Sequence, residues 1–571
     1  MFTFYRRLPL YRQLQDYTKR DLRSDIGAGV TVGVLLVPQG MAYAVLAGLP
    51  PVYGLFSAIV PLLVYGLLGP SRQLSVGPVA IVSLLIATGA GKWASPGTPE
   101  YLSLVLQLTL MTGVVQLVAG VIRFGYLASF LSQPVIHGFS SAAALIIMGS
   151  QMESLLGIPL SGSGGLHQEL LALVQHIGQM HFPTVAISAG ALAIILVAPG
   201  IHRNIPGPLV ALLLGTLIVF FMGLYHDGVE IVGDIPGGAP PFVIPAVTWK
   251  SIQMLWPTAL SIGLIGFLVS YTVSRALSAK HPGQHVNANH EFVALGAANL
   301  AGAFFSAHPV AGGFARSAVN EQANAASGLA SLISASVVML CLLFLTPLFR
   351  YVPGAVLAAM IVVAVIPMIT FGEMVKLWHT DRRDLFMLVG TFLVTLGFGV
   401  EKGVAISVVF SLILFVYRAS NPHTAQLGRL PGTRHFMNIE RFAEAETCDD
   451  ILVFRFDGPL FFGNSLVFEQ RMKDCRKEKG APLKLVVLDA GAITGIDSSA
   501  MDVLEQLVDD FASQQIQFYT AFVRGPVRDV LHRSGLYEKI GSSHHFMNVA
   551  DAVDWFTSHH RKEENQCLSN S

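Results

Sequence analysis

His308-Pro309-Val310-Ala311-Gly312-Gly313, running into Arg316 to Ala326, has a counterpart much earlier in the chain, Ser75-Val76-Gly77-Pro78 running into Val79 to Ala90. Each is a Gly/Pro-interrupted lead into a stretch too short for a bilayer core of about 30 Å, which takes about 20 helical residues. Matching interruptions in two halves of an apolar chain predict a binding site near the bilayer midplane, between inverted repeats. A half-helix that starts inside the membrane aims unpaired N–H groups and a partial positive charge at what lies before it. Two such ends facing each other make an anion cradle.

Around these two segments the sequence reads as fourteen apolar runs. The first seven are Ile26 to Leu46, Val52 to Leu68, Val79 to Ala90, Tyr101 to Ile122, Phe130 to Met148, Pro183 to Ala198 and Pro208 to Leu224. The second seven are Met254 to Leu277, Phe292 to Phe305, Arg316 to Ala326, Gly328 to Phe349, Gly354 to Thr370, Leu385 to Val400 and Gly403 to Tyr417, so the short runs are third in each set. Composition agrees: 53% of the 571 residues are hydrophobic and 13% charged, with a mean hydropathy of +0.58, a balance that soluble domains do not reach. Residues 26–420 hold 14 Lys/Arg and 12 Asp/Glu, whereas the shorter 421–571 hold 16 and 21, so the two parts meet different solvents.

Arg6, Arg7, Arg12, Lys19, Arg20 and Arg23 make a basic N-terminal arm, residues 1–25, with no small-residue cleavage site after the first apolar run. The arm predicts a cytoplasmic N-terminus, either as a segment lying on anionic membrane lipid or as a simple retention charge. Loops then predicted inside carry Arg72, Arg123, Arg203, Arg275, Lys280, Lys376, Arg382, Arg383 and Arg418, against Lys92, Lys250, Arg350 and Lys402 outside. The loop from Gln151 to His181 has no Lys or Arg, and an even number of spans returns the C-terminus to the cytoplasm. The predicted setting is the inner (plasma) membrane. A net charge of zero speaks against a nucleic-acid partner, and Cys341, Cys448, Cys475 and Cys567 lack the spacing of a metal or disulfide framework. No cofactor or metal is expected.

Arg316, a charge at the start of a broken helix, demands a function, since mid-membrane charges cost about 2.5–3.5 kcal/mol on insertion scales. It either completes the cradle or serves as counter-ion to Glu291 or Glu321. Gln39, within Val37-Pro38-Gln39-Gly40-Met41-Ala42-Tyr43, stands beside a proline that frees a backbone carbonyl. Its amide either donates to a substrate oxyanion or repairs the ladder, and Tyr43 shares its face one turn on.

Pro51-Val52-Tyr53-Gly54-Leu55-Phe56-Ser57-Ala58 with Gly69-Pro70-Ser71-Arg72 resembles the signature of the sulfate permease (SulP, solute carrier 26) family. So do Val37 to Ala44, Ser75 to Ala80, Asn289 to Gly296 and Gly312 to Asn320, in order along nearly the whole chain. The resemblance implies an α-helical polytopic membrane protein, not an enzyme, with 14 transmembrane segments in a 7+7 inverted repeat of core and gate domains, working as a homodimer. It implies a small anion, sulfate first, held between the third and tenth helices and moved by an elevator-like secondary active mechanism. By position, the implied substrate-binding residues are Gln39, Tyr43, Val79, Phe314, Ala315 and Arg316. One departure is Gly266-Phe267-Leu268-Val269-Ser270, where proton-coupled members carry an acid at the place of Val269. Valine cannot titrate, which leans toward a bicarbonate, chloride or dicarboxylate exchanger or an uncoupled channel. Ala315 likewise replaces a common serine.

After a linker at 421–437 the chain reads as an α/β domain at 438–560, with strands at Ile451 to Phe456, Leu485 to Asp489 and Gln517 to Val523 and an amphipathic helix from Asp502 to Ala512. This order resembles the STAS domain that follows such membrane regions. Ser498, in Asp497-Ser498-Ser499-Ala500, matches the regulatory serine of relatives, and it is equally an ordinary capping position. Residues 561–571 read as a disordered tail.

Overall fold

A computed structural model describes residues 9–15, 17–129, 132–158, 173–201, 206–281, 284, 286–480 and 483–569. Arg6, Arg7, Arg203, residues 159–172 of the expected external loop and the last two residues of the tail lie outside the described residues. The chain divides into two compact units, Met1–Ser411 and Leu412–Ser571.

Helical segments fall on all fourteen apolar runs. In the first half they are α1 (Lys19–Leu46), α2 and α3 (Pro51–Ser57 and Val60–Leu68, one run broken in two), α4 (Ala80–Ala90), α5 (Pro99–Val121), α6 (Gln133–Ser150), α7 (Phe182–Ile201) and α8 (Gly207–Met222). The second half gives α9 (Trp249–Ser278), α10 (Ala288–Phe304), α11 (Phe314–Gln322), α12 (Leu329–Phe344), α13 (Gly354–Val365), α14 (Phe371–Thr380), α15 (Arg382–Phe398) and α16 (Val400–Ser420). Among the described residues six segments are long and apolar enough to cross a membrane by length and composition alone, α1, α5 and α9 among them. The sequence reading placed α14 in a loop. It is a ten-residue helix whose Phe371, Val375 and Trp378 are exposed, too short and too charged to register as an apolar run.

The repeat is visible in the packing. Helix α5 packs on α9 as α12 packs on α1, which is run 4 on run 8 and run 11 on run 1; α5 packs on α10 as α12 packs on α3; and α6 packs on α15 as α13 packs on α7. Each pairing maps onto its partner when seven runs are added to one member and subtracted from the other. Helices α1 to α5 and α9 to α12 thereby form one bundle, and α6, α7, α8, α13 and α15 another. The two interrupted leads meet as β1 (Val76–Gly77) and β2 (Ala311–Gly312), paired antiparallel. Their burial leaves no water for the extended backbone, so each supplies the other's hydrogen bonds.

Asp25, fully buried near the start of α1, ties the halves together at one end. Its carboxylate accepts from Tyr17 Oη at 2.6 Å, from Ser327 Oγ at 2.6 Å and from the amides of Ala326 and Ser327 at 2.7 and 3.2 Å. Four donors compensate the desolvated charge, and no cation among the described residues pairs with it.

The second unit carries a six-stranded sheet in the order β4-β3-β5-β6-β7-β8, with β3 (His423–Arg429), β4 (Phe436–Asn438), β5 (Ile451–Asp457), β6 (Leu485–Asp489), β7 (Gln517–Ala521) and β8 (His545–Phe546). Strands β5 to β8 run parallel and β3 runs antiparallel to β5. The segment expected as a linker, 421–437, is therefore corrected: most of it is strand β3 and the start of β4. Only Ala425, Leu427 and Gly428 of β3 are buried, so it lacks the apolar run by which a strand is recognised. The expected disordered tail is corrected too, because the last helix runs Val549–Ser569. Its early turns put Val549, Ala552, Val553 and Phe556 on one face of the sheet, and a helix nucleated by packing propagates at little further cost.

On the other face, the helix Ser498–Ser513 is capped by Asp497, whose Oδ1 accepts from Ala500 N at 2.9 Å and whose Oδ2 accepts from Phe462 N at 2.8 Å. The capping role belongs to Asp497, and Ser498 is the exposed first residue of the helix. Asp497→Ala is expected to lower the stability of this domain by about 1–2 kcal/mol, while Ser498→Ala leaves its thermal midpoint unchanged; differential scanning calorimetry distinguishes the two.

Candidate functional site

Helix α4 begins after Val79, an extended N-cap residue with no side chain to satisfy the first amides. Helix α11 begins after Gly313, equally extended and equally without a capping side chain. The first free amides of both helices are thus left for a ligand. Between these ends lies Arg316, 3% exposed. Its Nη1 donates to the Pro78 carbonyl at 2.8 Å and to Gln39 Oε1 at 3.4 Å, while Nε and Nη2 find no acceptor among the described residues. A Cβ on Gly313 would come within 2.7 Å of the guanidinium carbon and one on Gly77 within 3.3 Å of Nη2, so glycine at both places leaves the guanidinium its room.

Both carboxylates named as alternative partners are engaged elsewhere. Glu291 accepts from Tyr65 Oη at 2.9 and 3.1 Å, and Glu321 sits 3.4 Å from Lys280 Nζ. The buried guanidinium thus keeps two nitrogens without an acceptor among the described residues, and the two acids named as its alternative partners are bonded or paired elsewhere.

Of the expected site residues, the structure brings Gln39 and Arg316 together directly. Tyr43, buried one turn beyond Gln39, stands within the field of the Arg316 charge. Val79 is at the mouth of α4, and Phe314 and Ala315 are exposed at the mouth of α11. Val269 is half-buried on α9 and packs against the apolar core. Ser498 belongs to the other unit.

The sequence reading missed the residues that hold the leads in place. Ser75 N donates to Ser317 Oγ at 2.9 Å, and Asn320 Nδ2 donates to the Gln73 carbonyl at 3.0 Å. The Ser270 hydroxyl accepts from Gly312 N at 2.7 Å and donates to the Gly266 carbonyl at 2.5 Å. Asn299 brackets Val310, donating to its carbonyl at 3.2 Å and accepting from its amide at 2.8 Å, and also donates to Gln116 Oε1 at 2.9 Å. Lone amides amid apolar runs, Gln116 and Asn299, were the available signal.

A bundle of apolar helices with two facing half-helix mouths, followed by an α/β domain, is the architecture of a polytopic membrane protein. A model of the sulfate permease family matches residues 22–391, and one of the STAS domain matches 442–552. The chain is 36% identical to Sulfate transporter 4.1, chloroplastic, of Arabidopsis thaliana, across 95% of this chain and 82% of the relative, and 34% identical to a probable sulfate transporter of Mycobacterium tuberculosis, across 95% and 97%. Its fold matches the murine solute carrier 26 family member A9 anion transporter in the inward-facing state, with a TM-score of 0.89, 25% identity and 98% and 95% of the two chains covered. The transmembrane domain of a cyanobacterium bicarbonate transporter matches with a TM-score of 0.60 at 23% identity, over 70% of this chain and 98% of that one. The chain belongs to the sulfate permease family, and it is a multi-pass membrane transporter of anions, not an enzyme.

Proposed function

We propose that this transporter carries sulfate by secondary active transport, binding it between the mouths of α4 and α11 with Arg316 as the charge partner. The single observation behind this reading is the buried guanidinium whose Nε and Nη2 find no acceptor and whose candidate acidic partners are spoken for. The helix amides supply further donors, and Gln39, Tyr43, Val79, Phe314 and Ala315 complete the lining. The names of the Arabidopsis and Mycobacterium relatives support sulfate.

The two helical bundles support an elevator-like movement, in which the bundle bearing both half-helices slides against α6, α7, α8, α13 and α15 as a gate. The remainder of the reading is fourteen crossings in residues 26–420, both termini cytoplasmic, the inner (plasma) membrane and a homodimer. Ser498, exposed at a helix N-terminus, is a place where a regulatory phosphate would be tolerated.

Val269 favours exchange or uncoupled flux over proton symport, because no carboxyl stands there to accompany a dianion. Counterflow of labelled sulfate in proteoliposomes tests the reading: saturable uptake accelerated by trans-sulfate is expected, and conductance without countertransport would make the protein a channel. Val269→Glu is expected to confer pH dependence, with uptake rising as the pH falls, because the protonated acid no longer repels the dianion. A flat pH profile in that variant would remove position 269 from the pathway.

A further inference from the structure

We infer that one acyl chain of a membrane phospholipid lodges in a crevice between the two helical bundles and bears on the movement of one past the other; its bearing on movement rests on the elevator-like reading proposed above. The crevice, about 330 Å³, is bounded by α1 and α12 of the first bundle and by α8 of the second. Val37 of α1 and Leu212 of α8 form its floor, 4% and 2% exposed, and Val34, Thr216 and Cys341 form its walls.

The lining calls for an alkyl ligand. The Thr216 hydroxyl donates back to the Leu212 carbonyl at 2.7 Å, and the half-buried Cys341 thiol is a weak, soft polar group. With nothing on these walls to hold a water or a headgroup, the space suits hydrocarbon. Leu213, Leu217 and Leu345 stand exposed at its mouth and continue into the exposed apolar surface of α8 and α12 at Phe221 and Leu340. In a multi-pass membrane transporter such a surface meets lipid tails, so a chain enters from the bilayer without crossing water. It gains little from exchanging one apolar medium for another. What holds it is contact on several sides at once, about 0.1–0.2 kcal/mol of dispersion for each well-placed atom pair.

Val37 immediately precedes Pro38 and Gln39, so a chain on this floor abuts the turn of α1 that presents Gln39 to Arg316. Its walls belong to different bundles, and any sliding of α1 and α12 along α8 reshapes the space between them. A flexible chain follows that change. A rigid ring fixed to one wall does not.

Full-length protein reconstituted with phosphatidylglycerol carrying a diazirine on one acyl chain, irradiated and mapped by mass spectrometry, tests the site. Adducts are expected on buried Val37 and Leu212 as well as on exposed Phe221 and Leu340. Adducts confined to exposed residues would mean an ordinary lipid annulus and overturn the inference, leaving the anion site as it stands. Thr216→Trp, or Val34→Phe from the opposite wall, is expected to lose the Val37 and Leu212 adducts, keep those on Phe221 and Leu340, and lower the maximal rate of sulfate counterflow several-fold. Leu340→Trp, outside the crevice, is expected to change neither. Floor adducts that survive both filling variants would place the chain elsewhere, and their loss at an unchanged rate would show that the chain has no bearing on transport. Wild-type protein labelled on the floor but without counterflow would overturn the transport reading, and the coupling with it, while the bound chain stands.

Discussion

Arg316→Ala abolishes saturable sulfate uptake in proteoliposomes and leaves the melting temperature of the anion-free protein unchanged or slightly raised. The two halves of this expectation have one cause. In the wild type a guanidinium is held away from water with one nitrogen bonded to Pro78 and Gln39 and two donors idle. Burying that charge costs free energy that only a bound anion offsets, so its removal takes away little or no stability from the empty protein. The bound state loses its charge partner, about 2–5 kcal/mol by analogy with other desolvated pairs, enough to put affinity out of a transporter's working range. Arg316→Lys keeps the charge but not the planar group that reaches Pro78 while presenting Nε and Nη2, and intermediate uptake is expected. Thermal stabilisation by sulfate gives an independent readout, since a ligand that binds only the native state raises its midpoint. The shift should vanish in Arg316→Ala. Uptake equal to the wild type would remove Arg316 from the site.

How much of this was legible in the sequence depended on the kind of signal involved. The half-helices were legible because a bilayer sets a minimum length, and Val79 to Ala90 falls short of it whatever the neighbours do. Arg316 was legible because a charge in an apolar run has few explanations. What the sequence left open was its partner, as Glu321 lies on the same run and Glu291 at the start of the run before it, and the fold holds one by Tyr65 and sets the other near Lys280. Pro78 contributes a backbone carbonyl, which no residue type advertises. Strand β3 escaped notice because membership in a sheet rested on pairing with β5 rather than on its own composition. The brackets on this lead escaped because Ser270 and Asn299 show their role only once both are found fully buried, Ser270 bonded to Gly312 of β2 and Asn299 to Val310 just before it.

Gly54→Ala is expected to be the most destabilising single-methyl change among the glycines of the first repeat, and to impair transport even where folded protein is recovered. On α2, a Cβ at Gly54 would stand 1.8 Å from the carbonyl oxygen of Gly40 and 2.4 Å from its carbonyl carbon. Both opposing atoms are backbone, so no rotamer change relieves the clash; α1 and α2 must move apart by an ångström or more. Overpacking of this sort costs about 3 kcal/mol or more, at the upper end of the usual range. The displaced segment of α1 is the one that carries Gln39, which already reaches Arg316 at the long distance of 3.4 Å. Pro38, inside α1 and without an N–H to donate, leaves this turn less braced than a regular helix and so the first to yield. Fluorescence-detected size-exclusion chromatography across a temperature ramp should show a lower midpoint for Gly54→Ala than for Gly27→Ala, where an added Cβ meets nothing within 4 Å. Sulfate counterflow on the surviving Gly54→Ala protein should show a raised KM. Wild-type KM with a lowered midpoint would mean that the α1–α2 contact supports the fold without setting the position of Gln39.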